Sequence, residues 1–186
     1  MELMDAIERR RAVREFTDAR IERATIERLI HAATLAPSAM NLQPWAFAAL
    51  FDQERIDGLG ARAKSHLLAN FPQTGPIASI RNTIEAPHYK LFHRAPALVL
   101  LLAKSAEAQA AEDCCLAAQN LMLAARGEGI GSCWIHLARA WMNLSSTKEE
   151  LGLPENYTVV APIVLGYPKA WPASPGRNAP EIHWLK

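Results

Sequence analysis

The sequence predicts an α+β fold in which a modest mixed central sheet is flanked by helices within one domain spanning residues 1–186. Short apolar runs at 45–51, 97–103, 132–137 and 158–165 have the length of strands. Other segments place apolar residues at helical spacing, as in Ile26, Leu29, Ile30 and Ala33. Half of the 186 residues are hydrophobic and there is no internal repeat or low-complexity tract, so one buried core is expected.

Each element has its own signal. Leu3, Met4 and Ile7 suggest a short amphipathic helix that runs into Arg10 and Arg11. The helix through Ile26 and Ala33 is stopped by Pro37, and residues 37–44 form a loop. A strand over 45–51 is followed by a helix from Gln53 to Phe71 through Ile56, Leu59, Ala63 and Leu67. A connection with Pro72, Gly75, Pro76, Asn82 and Pro87 has no sustained period and is expected to be mobile. Ala97 to Ala103 is a buried strand. Glu107 to Arg126 is a long helix whose many alanines let another helix approach closely. After the glycine-rich turn 127–131, residues 132–137 are expected to be extended, and 158–165 forms a further strand, which Pro162 pushes to an edge or a bulge. Four prolines between Pro168 and Pro180 suit an extended arm that wraps over a partner surface.

The totals exclude several classes. Lys and Arg number 20 against 19 acidic residues, a formal charge of +1, so no overall field favours nucleic acid or an anionic membrane. The apolar run 95–103 falls well short of the roughly 20 residues that span a bilayer, and the first residues lack a secretory signal, so a cytoplasmic protein is expected. Cys114, Cys115 and Cys133 form no CxxC pair and the six histidines form no HExxH motif, so no metal site is expected. Electron transfer, if present, would need an organic cofactor.

The run Arg9-Arg10-Arg11-Ala12-Val13-Arg14 offers bidentate donors for a phosphate or a flavin carbonyl; taken alone it reads more readily as a solvated basic face or a nucleic-acid patch, the last disfavoured by the neutral total charge. Gly127, Gly129 and Gly131 fail the GxGxxG pattern, because Ser132 stands where the last glycine belongs and a helix precedes them. Such a turn either ends a helix or lets the backbone after it approach a planar ligand. Cys133-Trp134 has no adjacent His or Asp partner and suggests packing, not nucleophilic chemistry.

Taken in order, Arg10-Arg11-Ala12-Val13-Arg14-Glu15-Phe16, Ala36-Pro37-Ser38-Ala39-Met40-Asn41-Leu42-Gln43-Pro44-Trp45, Gly129-Ile130-Gly131-Ser132-Cys133-Trp134 and Leu165-Gly166-Tyr167-Pro168 resemble the FMN-dependent nitroreductase family. Arg94-Ala95-Pro96, Ala117-Ala118-Gln119-Asn120-Leu121 and Leu153-Pro154-Glu155 extend the likeness over nearly the whole chain.

The resemblance implies an intertwined homodimer with FMN at the interface and the C-terminal arm, about 168–186, wrapping the partner. It implies that Arg10 and Arg11 hold the phosphate and ribityl end, that Arg14 lies near N1 and O2 of the ring, and that Pro37, Ser38 and Asn41 come from the partner subunit. Trp134, Ile135, His136 and Leu137 would edge the ring, with a backbone N–H of Ile135 or His136 at N5, and Arg177 would reach the phosphate. Lys90 resembles a basic residue that approaches the flavin in some members. Ala12 stands where a serine is usual, and the tail offers Arg177 where a Lys/Arg pair is common.

The implied activity is NAD(P)H-dependent reduction of nitroaromatic or quinone-like acceptors, by ping-pong hydride transfer through flavin N5 and without a side-chain general acid. Dehalogenation, flavin cleavage and ene reduction share these motifs. A non-catalytic flavin protein would be yellow but not bleached by NAD(P)H, and a nucleic-acid module would be colourless.

Overall fold

A computed structural model describes residues 1–75 and 77–185. Pro76 in the predicted connection and Lys186 at the end of the predicted arm lie outside the described residues. The helices are α1 (Leu3–Arg9), α2 (Arg23–Thr34), α3 (Gln53–Ala69), α4 (Arg81–Glu85), α5 (Ala108–Gly127), α6 (Arg139–Met142) and α7 (Ser145–Glu150); the strands are β1 (Trp45–Leu50), β2 (Ala97–Ala103), β3 (Gly131–Trp134) and β4 (Thr158–Gly166).

The strands form one sheet in the order β1-β2-β4-β3, with every neighbouring pair antiparallel. The parallel component of the expected mixed sheet is an isolated bridge between Ala12 and Ser132 on the free edge of β3. Because β2 is covered on both faces, it is apolar throughout, as strands buried on both sides are. Val99 and Leu101 face α2 and α5 together with Ile26, Leu29, Ala117 and Leu121. Leu98, Leu100 and Leu102 face the other way, against Ile56, Leu59, Phe92 and Met142. The small buried residues Ala117, Ala118 and Ala125 of α5 admit α2 at close range, as the alanine pattern predicts.

Several boundaries differ from the sequence reading. Pro162 lies in β4, an interior strand; it is accommodated beside a bulge, where the register moves from Leu101↔Ala161 to Leu102↔Val159. The strand ends at Trp134: the Ile135 N–H still donates in register to the Pro162 carbonyl at 2.8 Å, but Pro162 has no N–H to return, and the chain curls into a helical turn over His136–Ala138. The connection 72–87 contains α4, which buries Ile84, and Lys64 Nζ donates to the carbonyls of Ala86 at 2.8 Å and Tyr89 at 3.2 Å. In α1 only Ala6 is buried; Leu3, Met4 and Ile7 are 68%, 60% and 45% exposed, so its apolar stripe faces away from this chain's core.

The arginine-bearing segment lies on the sheet edge because two glycines make room for it. Gly131 and Gly166 are directly paired across β3 and β4. A Cβ at Gly131 would stand 2.8 Å from Val13 Cβ, and one at Gly166 would stand 2.5 Å from Phe16 Cδ1. The segment is then fastened by Val13 N–H to Ser132 O at 3.0 Å and Thr17 N–H to Tyr167 O at 2.8 Å.

Candidate functional site

This fastening gathers guanidinium groups at one place. Arg10, Arg11, Ala12 and Arg14 face Pro172, Ala173, Pro175 and Arg177 across a cavity of about 390 Å³. No acidic side chain lines it. Arg11 Nη1 donates to the carbonyls of Glu8 and Arg10, both at 2.7 Å, while its buried Nε has no partner. Arg177 Nη1 reaches only its neighbour's carbonyl, that of Gly176, at 2.8 Å. Convergent guanidiniums without carboxylates create a local positive potential suited to a phosphate. The Ala12 side chain contributes a methyl group to this wall where a serine would contribute a donor.

A second cavity, of about 340 Å³, is lined by Arg14, Tyr89, His93 and residues 133–137, with Ile84 and Leu91 among its apolar walls. Arg14 lines both spaces, so the cationic cavity and the more apolar one share a wall. This pair fits a phosphorylated flavin: a charged end, and a more apolar cavity that Arg14 also lines. Trp134, Ile135, His136 and Leu137, named from the sequence, all line the slot.

Burial sets the protonation states. Desolvation, and then Arg14, push His93 down to about 4, which keeps it neutral through the physiological range. Burial raises Tyr89. Burial also raises Cys133 against the opposing pull of Arg14 and Arg10, so its thiol is no activated nucleophile. His93 and Arg94 both have left-handed backbone, φ 55° and 53°, a strained conformation held partly by Gln53 Nε2 donating to the Arg94 carbonyl at 2.8 Å.

Other predicted residues lie elsewhere. Lys90 is exposed and lines neither cavity, whereas its neighbours Tyr89 and Leu91 line the slot. Pro37, Ser38 and Asn41 also line neither cavity of this chain. They belong to a tight turn in which Ser38 Oγ accepts from Gln43 N–H at 3.0 Å, and Met40, Asn41 and Gln43 have φ of 48°, 55° and 48°. The Ile135 N–H donates to the Pro162 carbonyl at 2.8 Å. Sequence reasoning missed Tyr89 and His93; polar rings set among Leu91 and Phe92 just before a buried strand were the available signal. Among the described residues no cluster of His, Cys, Asp or Glu is arranged for a metal ion, and no helix is long and apolar enough to cross a membrane.

The model of the Nitroreductase family matches residues 7–167. The chain belongs to the nitroreductase family. It is 34% identical over 168 residues to a protein of Archaeoglobus fulgidus provisionally named an NADH dehydrogenase/NAD(P)H nitroreductase, covering 90% of this chain and 86% of that one. A 5,6-dimethylbenzimidazole synthase of Rhodospirillum rubrum is 27% identical over 176 residues, 86% of this chain and 79% of the relative. Among solved structures, an FMN-bound nitroreductase of Bacteroides fragilis superposes with a TM-score of 0.83 at 26% identity and full coverage of both chains. Nitroreductase-fold neighbours therefore hold FMN, and relatives within the family differ in activity.

Proposed function

We propose that this nitroreductase-family flavoprotein is a cytoplasmic, homodimeric FMN-dependent oxidoreductase that takes electrons from NAD(P)H and passes them to nitroaromatic or quinone-like acceptors. The observation behind this reading is the acid-free arginine cavity joined through Arg14 to an apolar slot. When bound, FMN supplies the redox chemistry. Arg10, Arg11 and Arg177 hold its phosphate end; Arg177 lies beyond the residues matched by the family model. Arg14, which lines both cavities, would hold the ring end, and its fixed positive charge would favour the electron-rich form of the flavin. The His136 backbone would help to orient the ring. Ile84, Leu91 and Leu137 restrict water at the slot, and neutral His93 with Tyr89 offers hydrogen bonds to an acceptor's oxygen atoms.

The dimer reading rests on the exposed apolar residues Leu3, Met4, Ile7, Leu35, Met40 and Leu42, which this chain leaves without cover. They include the turn bearing Ser38 and Asn41, so those two residues, with Pro37, are assigned to the partner's flavin. Three free cysteines suit a reducing compartment. The test is an anaerobic titration of the FMN-loaded protein with NADH and NADPH, followed by a nitroarene. Bleaching by a nicotinamide and recovery on adding the nitroarene support the proposal; a yellow protein that neither nicotinamide bleaches rejects it.

A further inference from the structure

The C-terminal arm begins on its own chain before it can reach any partner. Phe16 bridges Pro168, and Lys169 N–H donates to the Glu15 carbonyl at 3.0 Å. Next, Trp171 lies against the end of α5, with the Arg126 guanidinium carbon 3.5 Å from its ring centroid. From residue 172 to 185 every residue is exposed, so this stack is the last anchored point of the arm. Immediately past it, Pro172, Ala173, Pro175 and Arg177 form one wall of the cationic cavity, facing Arg10 and Arg11.

Arg126 is an unusual residue to find here. It is only 9% exposed, and its Nε has no hydrogen-bond partner. Burial first, and then Arg9 and Arg11, disfavour its charge, with Asp5 acting the other way. A desolvated arginine among like charges is costly unless something stabilises it. Two features do: it sits in the last turn of α5, where the helix dipole favours a cation, and the indole face supplies a cation–π contact. The flat guanidinium is suited to stacking in a way that a lysine ammonium is not.

We propose that Arg126 and Trp171 are positioning residues for the phosphate end of the flavin site: their stack fixes the root of the arm so that Arg177 closes the cavity opposite Arg10 and Arg11. This rests on the flavin reading above. The chain between Trp171 and Arg177 is only five residues long, and the restricted φ of Pro172 and Pro175 limits its freedom, with Gly176 the one permissive joint before Arg177. Neither Arg126 nor Trp171 lines the flavin slot, so the ring site should not sense their loss.

The test compares FMN with riboflavin, which lacks only the phosphate, by fluorescence titration of the full-length apoprotein. Wild type should bind FMN much more tightly than riboflavin. Trp171→Ala and Arg126→Lys should each weaken FMN by about tenfold, the scale of one charge-assisted hydrogen bond, while riboflavin affinity stays within about twofold. Trp171→Phe, which keeps a flat ring, should restore most of the preference. If Trp171→Ala keeps the full preference for FMN, or weakens both flavins equally, the positioning role is overturned. A wild type that binds FMN no better than riboflavin overturns the phosphate assignment itself, a failure distinct from that of the stack.

Discussion

Replacing Gly131 by alanine tests the packing that brings the arginines to the site. The new Cβ would meet Val13 Cβ and Cγ2 at 2.8 Å and Cγ1 at 2.9 Å. Val13 is fully buried, and its Cβ is fixed to backbone held by the Val13 N–H to Ser132 O bond, so no side-chain rotation removes the clash. Restoring ordinary contact means lifting residues 12–14 by roughly 1 Å. Overpacking of this kind costs about 1–3 kcal/mol, and weakening the backbone bond adds about 1 kcal/mol. For a chain of 186 residues the total corresponds to a fall in Tm of about 5–12 °C. The same lift draws Arg10, Arg11 and Arg14 off their ligand, so FMN affinity should fall by about tenfold or more. Thermal unfolding of the apoprotein and fluorescence titration with FMN read the two effects separately. Gly58→Ala is the control: nothing lies within 4 Å of its added Cβ inside α3, so it should stabilise by about 0.5–1 kcal/mol and leave FMN binding unchanged. Val13→Ala added to Gly131→Ala should rescue only partly, because the Cβ–Cβ approach persists. A Gly131→Ala protein with wild-type Tm and wild-type FMN affinity would refute the reasoning.

Arg14→Ala should slow reduction by NAD(P)H more than it weakens FMN retention, whereas Arg177→Ala should mainly release FMN; stopped-flow reduction and flavin release under dilution distinguish them, and equal small effects would count against both roles. His93 gives the apoprotein a pH signature. Above pH 6.5 the imidazole is neutral folded and unfolded and its contribution is complete; as pH falls from 6.5 toward about 4 the unfolded chain takes up a proton that the fold resists, so stability declines, and below about 4 the decline stops. At roughly 1.4 kcal/mol per tenfold change in proton affinity, the loss is at most about 3 kcal/mol. Urea unfolding at pH 7 and pH 4.5 should show this gap in wild type and a smaller one in His93→Asn, a residue that tolerates the left-handed backbone at 93; the same gap in both proteins would refute the assignment.

What the sequence made legible follows from how local each cause is. The strand β2 and the buried stripe of α2 were readable because burial writes a periodic pattern directly into neighbouring residues. Arg10, Arg11 and Arg14 were visible as a run, but the reason they converge was not: it lies in Gly131 and Gly166, paired across two strands and read singly as turn or strand-end residues. His93 carried only a weak local signal, a polar ring among apolar residues, because its left-handed φ and its place in one cavity with Arg14 are set by the fold. Lys90 was named on the family resemblance alone; its side chain is exposed, while Tyr89, Leu91 and His93 around it in sequence line the slot. That lining bears on chemistry: among the described residues Arg14 is the one lysine or arginine lining the slot and no carboxylate lines it, so on the proposed flavin reading the electrostatic demand of a reduced ring would fall on that guanidinium. The effect of Arg14→Ala on reduction should therefore exceed that of any other substitution in the slot, and Lys90→Ala should leave it unchanged.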